Sequence, residues 1–164
     1  MTETYADVAG RLRALCAGET DAVALMATVA CELFHGFERF HWVGFYRVVA
    51  PDLMKIGPYQ GGHGCLAIPF GRGVCGAAAR TRETVIVRDV EAFPGHIACS
   101  ASTRSEIVVP VIDASGALIA VLDIDSDAPA AFDDEDAAAL EAICREIFAE
   151  GSRGGLSADP AAAQ

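Results

Sequence analysis

Long apolar runs are missing from this sequence. No stretch approaches the roughly 18 consecutive apolar residues that a membrane-spanning helix needs. The first residues also lack the basic, apolar and small segments of a secretory signal. These absences predict a soluble, cytoplasmic protein. Because thiols stay reduced in the cytoplasm, the six cysteines indicate catalysis, redox chemistry or metal binding before they indicate a structural disulfide framework.

Positive charge is also scarce. The chain has 12 Lys and Arg residues against 23 Asp and Glu residues, which gives a formal net charge of -11. Such an acidic chain, without a basic stripe, repels phosphate backbones and anionic membranes, so we expect neither as a partner. The 164 residues are enough for one domain that buries about 70% of its unfolded surface, without a metal or disulfide to hold it together.

Familiar cofactor motifs are absent as well. The GRGVCG turn lacks the lysine and hydroxyl of a phosphate-binding loop, and no dinucleotide fingerprint is present. A zinc site would have to be built from Cys65, Cys75, Cys99, His63 and His96. These residues contain no close C-x-x-C pair and lie in glycine-rich segments, unlike the ligands of a closed structural site. We therefore expect no bound metal or cofactor.

The residues that are present predict helices at both ends of a group of strands. Apolar periodicity predicts helices at 5–16, 20–34, 74–80 and 133–150, and it places Val23 on the apolar face of the second helix. Aromatic and β-branched residues predict strands at 40–49, 53–58, 65–70, 84–87, 106–112 and 117–125, the last two forming a hairpin. The pattern predicts an α+β domain around a central antiparallel sheet. The last 14 residues, 151–164, are too poor in apolar side chains to order themselves and predict a disordered tail.

The six cysteines fall into two groups. Three of them lie in the predicted helices at the two ends of the domain and are expected to be small core residues: Cys16, Cys31 and Cys144. The other three lie among glycines and small residues between positions 57 and 106. Cys75 begins a predicted helix, whose dipole would lower the thiol pKa. Cys99 lies in an irregular connection, 89–104, whose length indicates a functional loop.

Two positively charged or ionisable neighbours make Cys99 the better nucleophile. His96 and Arg104 flank it in a polar loop, where a cation would stabilise a thiolate. His96 serves equally well to satisfy a turn.

Acids of the predicted hairpin are candidates for proton transfer. Asp123 and Asp125 alternate in VLDIDS and project from one face, while Glu106 opens the neighbouring strand. Three converging carboxylates would repel one another and raise at least one pKa. In the alternative interpretation Asp125 and Asp127 are solvated strand-end acids, and we expect the acids at 133–136 to be solvated at a helix start.

Two aromatic residues are candidates for substrate binding. Trp42 and Tyr46 share one strand face with Gly44 between them. The glycine would leave space for a ligand beside the two rings, although a sheet bend or close packing explains it almost as well. A core role for Trp42 is nearly as well supported.

Five motifs, in chain order, carry a family resemblance: GPYQG, GRGVCG, GHIAC, SEIVVP and VLDIDS. In this order they resemble the free methionine-(R)-sulfoxide reductases, enzymes built on a GAF domain, and the similarity covers roughly residues 20–150. The resemblance implies a single catalytic GAF domain at 1–150. It further implies reduction of free methionine-(R)-sulfoxide by a sulfenic acid and disulfide mechanism, recycled by thioredoxin, and it allows a homodimer.

The resemblance also implies residue roles. Cys99 of GHIAC matches the attacking cysteine and Cys65 the principal resolving cysteine, so oxidation would form a Cys65–Cys99 disulfide. Cys75 matches a third, alternative or secondary resolving thiol, and the division of roles between Cys75 and Cys99 stays open. Trp42 matches an aromatic residue beside the substrate's S-methyl group. The family's acids fall on the hairpin, at positions that donate a proton or hold the substrate's ammonium group: Glu106, Asp123 and Asp125.

The sequence departs from the family pattern at two places. Ser100 stands where relatives carry an acid, which takes one negative charge away from the neighbouring thiol and favours its ionisation. His63 and Gly64 replace longer apolar residues. Neither change removes a group that the mechanism needs.

A second function class uses the same fold. GAF domains also serve as ligand sensors, and a sensing module would need the cavity without the three cysteines. We expect catalysis, because no output domain accompanies this domain in the sequence.

Overall fold

A computed structural model describes residues 3–149. The predicted tail at 151–164 and the last residue of the predicted 133–150 helix lie outside this range. The helices are α1 (Tyr5–Leu15), α2 (Ala22–Gly36), α3 (Gly73–Thr81) and α4 (Asp134–Cys144), and a π-helical turn at Arg145–Ala149 follows α4. The strands are β1 (Trp42–Ala50), β2 (Leu53–Gln60), β3 (Ala67–Pro69), β4 (Val85–Val87), β5 (Ser105–Ile112) and β6 (Leu118–Ser126).

The six strands form one antiparallel sheet in the order β3-β2-β1-β6-β5-β4. The predicted α+β architecture with a central antiparallel sheet is confirmed, including the β5–β6 hairpin. In the described part of the chain, no helix combines the length and apolar character required to cross a membrane.

The sheet separates two apolar clusters, because alternate residues of each strand point to opposite faces. On one face Val43 and Phe45 of β1 pack with α1, α2 and α4. On the other face Trp42 and Tyr46 pack with α3 and with residues of the loops around it. The second face holds Cys75 and the candidate site residues, so the larger helical layer supports the site from behind.

Three surface or core assignments made from the sequence are wrong. Val23 was expected on the buried face of α2 but is 51% exposed. Cys31, expected in the core, is half-buried, with its Sγ 3.7 Å from Nδ1 of His35. Asp136, expected to be solvated, is buried, and its Oδ1 accepts hydrogen bonds from Arg39 at 2.6 Å and from the Tyr5 hydroxyl at 2.7 Å. A partner distant in sequence, which periodicity does not reveal, explains the last case.

Candidate active site

A disulfide joins the two loops that border the site. Cys65 lies between β2 and β3, and Cys99 lies in the connection between β4 and β5. Their Cα atoms are 5.5 Å apart, and both residues are half-buried. This is the pair that the family resemblance implies. The disulfide therefore holds the 89–104 connection against the glycine-rich loop after β2.

Cys75 lies in the first turn of α3, as predicted, but its environment is the opposite of the expected one. The residue is buried, and burial raises the pKa of its thiol well above the ordinary value. The negative charges of Asp123, Glu106 and Asp125 raise the pKa further. Burial and three nearby acids outweigh the helix dipole, whose contribution is small at such a site. The prediction of an activated Cys75 thiolate is wrong.

The three predicted acids converge beneath the disulfide loops. Glu106 pairs with Asp125 across the β5–β6 hairpin, and Asp123 lies two residues earlier on the same face. Glu106 and Asp123 are buried and Asp125 is half-buried. Burial, with the charge of Asp125, raises the pKa of Glu106 to about 8. The pKa values of Asp123 and Asp125 are also raised, first by burial and then by neighbouring carboxylates.

The two residues that were expected to stabilise a Cys99 thiolate by positive charge contact other side chains instead. His96 Nε2 lies 3.6 Å from Glu106 Oε2, and burial lowers the pKa of the imidazole. Arg104 points to the surface, with Nη1 3.7 Å from Glu91 Oε1. His96 lines the same cavity as Cys99, whereas Arg104 does not. Of the two residues, only His96 remains a candidate to influence the Cys99 sulfur.

The site consists of a small inner cavity and a larger outer groove. The inner cavity, about 30 Å³, is lined by Cys75, His96 and the three acids among others. The outer groove, about 500 Å³, runs past Trp42 and shares Cys99 and Asp125 with the cavity. Cys99 therefore lies where the groove meets the buried acids.

Sequence reasoning missed two residues of this region. Thr103 is buried and borders both the cavity and the groove. His41 lines the groove, and its Nδ1 accepts a hydrogen bond from the Asp127 backbone N–H at 3.1 Å. Thr103 lies in the connection that length alone marked as functional, and that was the available signal. His41 directly precedes β1, and no sequence pattern identified it as a site residue.

Of the two aromatic candidates, Trp42 lines the outer groove, whereas Tyr46 is buried and packs against Trp42. Trp42 donates from Nε1 to the carbonyl of Gly62 at 2.7 Å, and its ring stacks on those of Tyr46 and Tyr59 at centroid distances of 6.0 and 5.4 Å. A Cβ on Gly44 would overlap the Trp42 ring. The glycine thus allows close packing of the aromatic rings, and the expected ligand space beside it is filled.

One group of side chains in the described residues has the spacing of metal ligands. The thiol of Cys75 and the carboxylates of Glu106 and Asp123 offer ligand atoms within 4.8 Å of one another, and all three residues are buried. This set differs from the cysteine and histidine set considered from the sequence, in which Cys65 and Cys99 are joined to each other.

Comparisons with known proteins match this arrangement to one family. The GAF domain model matches residues 16–147. A free methionine-R-sulfoxide reductase from Escherichia coli (strain K12) is 40% identical over 146 residues, covering 89% of this chain and 87% of the relative. The enzyme of the same name from Saccharomyces cerevisiae is 40% identical over 136 residues, covering 79% of this chain and 76% of the relative.

Solved structures agree with the sequence relatives. The free methionine-R-sulfoxide reductase from Neisseria meningitidis, in complex with its substrate, is 45% identical with a TM-score of 0.84, covering 91% of this chain and 90% of that one. The reduced Staphylococcus aureus enzyme is 37% identical with a TM-score of 0.86, covering 92% and 96%. Identity and fold extend over nearly the whole of both chains, and so this chain belongs to the GAF-domain family and, within it, to the free methionine-R-sulfoxide reductases.

Proposed function

We propose that this protein reduces free methionine-R-sulfoxide to methionine by thiol chemistry. The observation that carries the proposal is the Cys65–Cys99 disulfide, which joins two loops directly above three buried or half-buried acids. A thiol pair beside protonated carboxyl groups is what sulfoxide reduction requires. The relatives named above carry the same activity in their names.

In the first step, the Cys99 thiolate attacks the sulfoxide sulfur. The attack forms a bond between the Cys99 sulfur and the substrate sulfur, and a proton is delivered to the sulfoxide oxygen. This new bond and the sulfur–oxygen bond of the substrate then break as the oxygen passes to Cys99, which becomes a sulfenic acid. Methionine leaves, reduced by two electrons, and the Cys99 sulfur is oxidised by two. Cys99 is suited to this role because it lies at the junction of groove and cavity.

A protonated acid of the cluster supplies the proton. Glu106 has a pKa of about 8 and therefore holds a proton at neutral pH. Asp123 is also buried, and burial together with the neighbouring Glu106 raises its pKa, which makes it the second candidate donor. We assign proton donation to Glu106 and Asp123, because a general acid works best when its pKa is near the working pH.

In the second step, the Cys65 thiol attacks the Cys99 sulfenic acid. The sulfur–sulfur bond forms, the sulfenic oxygen leaves as water, and the product is the disulfide seen in the structure. Cys75 lines the cavity together with Cys99, so it is the alternative resolving thiol. Its buried, protonated state favours Cys65 as the first partner.

The outer groove is the proposed binding site for the amino-acid substrate. With a volume of about 500 Å³ it accommodates a single amino acid. Trp42 supplies an apolar surface for the S-methyl group, and Tyr46 supports it by stacking. Asp125 borders the groove and is placed to bind the substrate ammonium group, which a methionine inside a polypeptide lacks.

Thioredoxin is the proposed reductant. Its dithiol attacks the half-buried disulfide, passes two electrons to Cys65 and Cys99, and leaves oxidised. All residues of the proposed mechanism lie in one chain, so a homodimer is not needed for catalysis.

The decisive variant is Cys99→Ser. We expect it to lose reduction of free methionine-R-sulfoxide, since serine forms no sulfenic acid, while Cys31→Ser, a half-buried cysteine on α2, keeps wild-type turnover. Turnover should be measured with the R-sulfoxide, the S-sulfoxide and a sulfoxide-containing peptide, with thioredoxin as the electron source. Full activity of Cys99→Ser would transfer the nucleophile role to Cys75.

Peptide mapping of the same samples identifies the product. After one turnover without reductant, mass spectrometry should find Cys65 linked to Cys99. A Cys75–Cys99 link with free Cys65 would assign resolution to Cys75. If all three thiols stay intact, the reductase mechanism is wrong and ligand sensing by this GAF domain becomes the better proposal.

A further inference from the structure

The inner cavity contains a set of side chains that is suited to a metal ion. Cys75, Glu106 and Asp123 present one sulfur and two carboxylate oxygens within 4.8 Å of one another, all buried. Within residues 3–149, Asp123 Oδ1 is a buried side-chain oxygen without a hydrogen-bond partner. Buried polar atoms are usually satisfied, and the partners left to this oxygen are protons shared with the Glu106 carboxyl and the Cys75 thiol, which a bound metal ion would replace.

The acids that line the cavity also favour a cation. Glu106, Asp123 and Asp125 all border it, and no lysine or arginine of the described residues does so. Without a compensating positive charge these buried acids are driven to hold protons, so a metal ion binds there by displacing the protons of the two carboxyl groups and of the Cys75 thiol into solvent. A divalent ion would provide that charge directly between the acids.

The size of the cavity selects the kind of ligand. Its volume of about 30 Å³ holds two or three water-sized groups, since one water needs roughly 10–15 Å³ by the same measure. A free amino acid does not fit there. With the disulfide formed, the cavity therefore has room for an ion but not for the substrate.

The ligand set favours zinc over magnesium or calcium. A thiolate with two carboxylates is a donor set for Zn²⁺, whereas Mg²⁺ and Ca²⁺ prefer oxygen alone. Tetrahedral zinc places its sulfur and oxygen ligands about 3.5 Å apart, so inward shifts of about 1 Å would complete the site. His96 lines the same cavity with Nε2 3.6 Å from Glu106 Oε2, but it lies outside the group of three, so the fourth position is open to this side chain after a further movement or to a water.

We propose that the oxidised protein binds Zn²⁺ reversibly in the inner cavity through Cys75, Glu106 and Asp123. The ion occupies the two acids assigned to proton donation, so bound zinc also inhibits turnover; this consequence rests on the proposed function, whereas the binding does not.

Co²⁺ provides a direct probe of the site. It replaces Zn²⁺ in such sites, and a thiolate ligand gives it a charge-transfer absorption in the near ultraviolet. The experiment uses the full chain with the Cys65–Cys99 disulfide formed, so that these two sulfurs cannot bind metal. We expect the absorption to appear with one equivalent of Co²⁺ and to disappear when Zn²⁺ is added.

Matched variants locate the ligand. Cys75→Ser should remove the absorption. Asp123→Asn keeps the side-chain shape and should weaken Co²⁺ binding by about tenfold or more, because even residues that only hydrogen-bond to a metal ligand lower the affinity by this factor when they are changed. Cys31→Ser is the control, because Cys31 is a free cysteine with a histidine 3.7 Å away. It should leave the absorption unchanged.

Three results would overturn the proposal. These are no thiolate absorption in the wild-type protein, an absorption that survives Cys75→Ser, or one that depends on Cys31. A thermal melt of each variant verifies folding, and if Cys75→Ser does not fold, Asp123→Asn decides the question by the same titration. Because no substrate is present, failure of metal binding leaves the proposed reductase function untouched. Conversely, a protein that binds Co²⁺ at Cys75 without reducing sulfoxide would refute only that function.

Discussion

At the scale of single residues, Glu106 couples the candidate site to the pH dependence of stability. Its pKa is about 8 in the folded protein, against an ordinary value of 4.5. Between these values the folded state holds a proton that the unfolded state has lost. The free energy of unfolding therefore falls as the pH rises from about 4.5 to about 8. The contribution of Glu106 to stability is fully present only below pH 4.5.

We expect urea unfolding to detect this effect. From pH 5 to pH 8 at constant ionic strength, titration of Glu106 should cost the wild-type protein roughly 2–4 kcal/mol of unfolding free energy. Glu106→Gln should show a flatter dependence, although not a flat one, because the raised pKa values of Asp123 and Asp125 act with the same sign. His96, whose pKa is lowered, acts with the opposite sign below its ordinary value of 6.5. Equal slopes for the two proteins would contradict a buried, protonated Glu106.

At the scale of secondary-structure elements, Gly44 allows β1 to carry its aromatic residues. Its Cβ position would overlap the Trp42 ring and lie 2.5 Å from Tyr59 Cβ. Gly44→Ala should therefore displace Trp42, destabilise the protein by roughly 1–3 kcal/mol and raise KM for the sulfoxide. Chemical denaturation and steady-state kinetics measure the two effects.

Gly71→Ala is the matched control for that substitution. Gly71 is exposed, and its added Cβ would have no neighbour within 4 Å among the described residues. It should change stability by less than about 0.5 kcal/mol, as surface substitutions usually do. If both variants behave alike, the overlap at Trp42 is relieved without cost and the argument from close packing is wrong.

Asp136 links the two ends of the chain. From the first turn of α4 it bonds Arg39 and the Tyr5 hydroxyl of α1, and it accepts the backbone N–H of Asp133 at 2.9 Å. Asp136→Ala should cost about 2 kcal/mol, because Arg39, which is only partly exposed, loses its partner together with the helix cap. Asp134→Ala, an exposed acid of the same turn, should cost little. Thermal unfolding of both variants measures the difference, and equal losses would show that Asp136 stabilises only through the helix start.

The contrast between Asp136 and the hairpin acids shows what the sequence predicts and what it does not. Asp123 and Asp125 alternate within one strand, so their shared face follows from strand geometry, and the β5–β6 turn brings Glu106 beside them. These are local rules. Asp136 is buried because Arg39, 97 residues away, approaches it. Periodicity carries no information about such a partner.

The pKa of Cys75, inside the site, also could not be predicted from the sequence. Its position at the start of α3 was predictable, but its pKa depends on how α3 packs against β5 and β6, which carry the three acids. A helix-dipole argument considers only the helix itself. The Cys65–Cys99 pairing was likewise not predictable from local patterns and came from the family resemblance. The two cysteines are 34 residues apart, and only the folded sheet brings their loops together.

At the scale of the whole molecule, the redox state of the site is coupled to the stability of the fold. The Cys65–Cys99 link closes a loop that contains β3 and β4, the two edge strands of the sheet, and α3, the helix on its site face. A cross-link across 34 residues restricts the unfolded chain and contributes roughly 2–4 kcal/mol. Oxidation by substrate should therefore stabilise the enzyme globally.

The prediction is that oxidised wild-type protein unfolds at a higher denaturant concentration than the reduced form, by an amount that corresponds to roughly 2–4 kcal/mol. Cys65→Ser should unfold near the reduced wild-type protein and should not respond to a dithiol reductant. Cys31→Ser should keep the full difference between the two redox states, because that cysteine lies on α2, outside the closed loop. If oxidised and reduced proteins unfold alike, the native strain of the link offsets its effect on the unfolded chain. If Cys65→Ser still responds to reductant, Cys99 forms its disulfide with another thiol, and Cys75, which borders the same cavity, is the first to test.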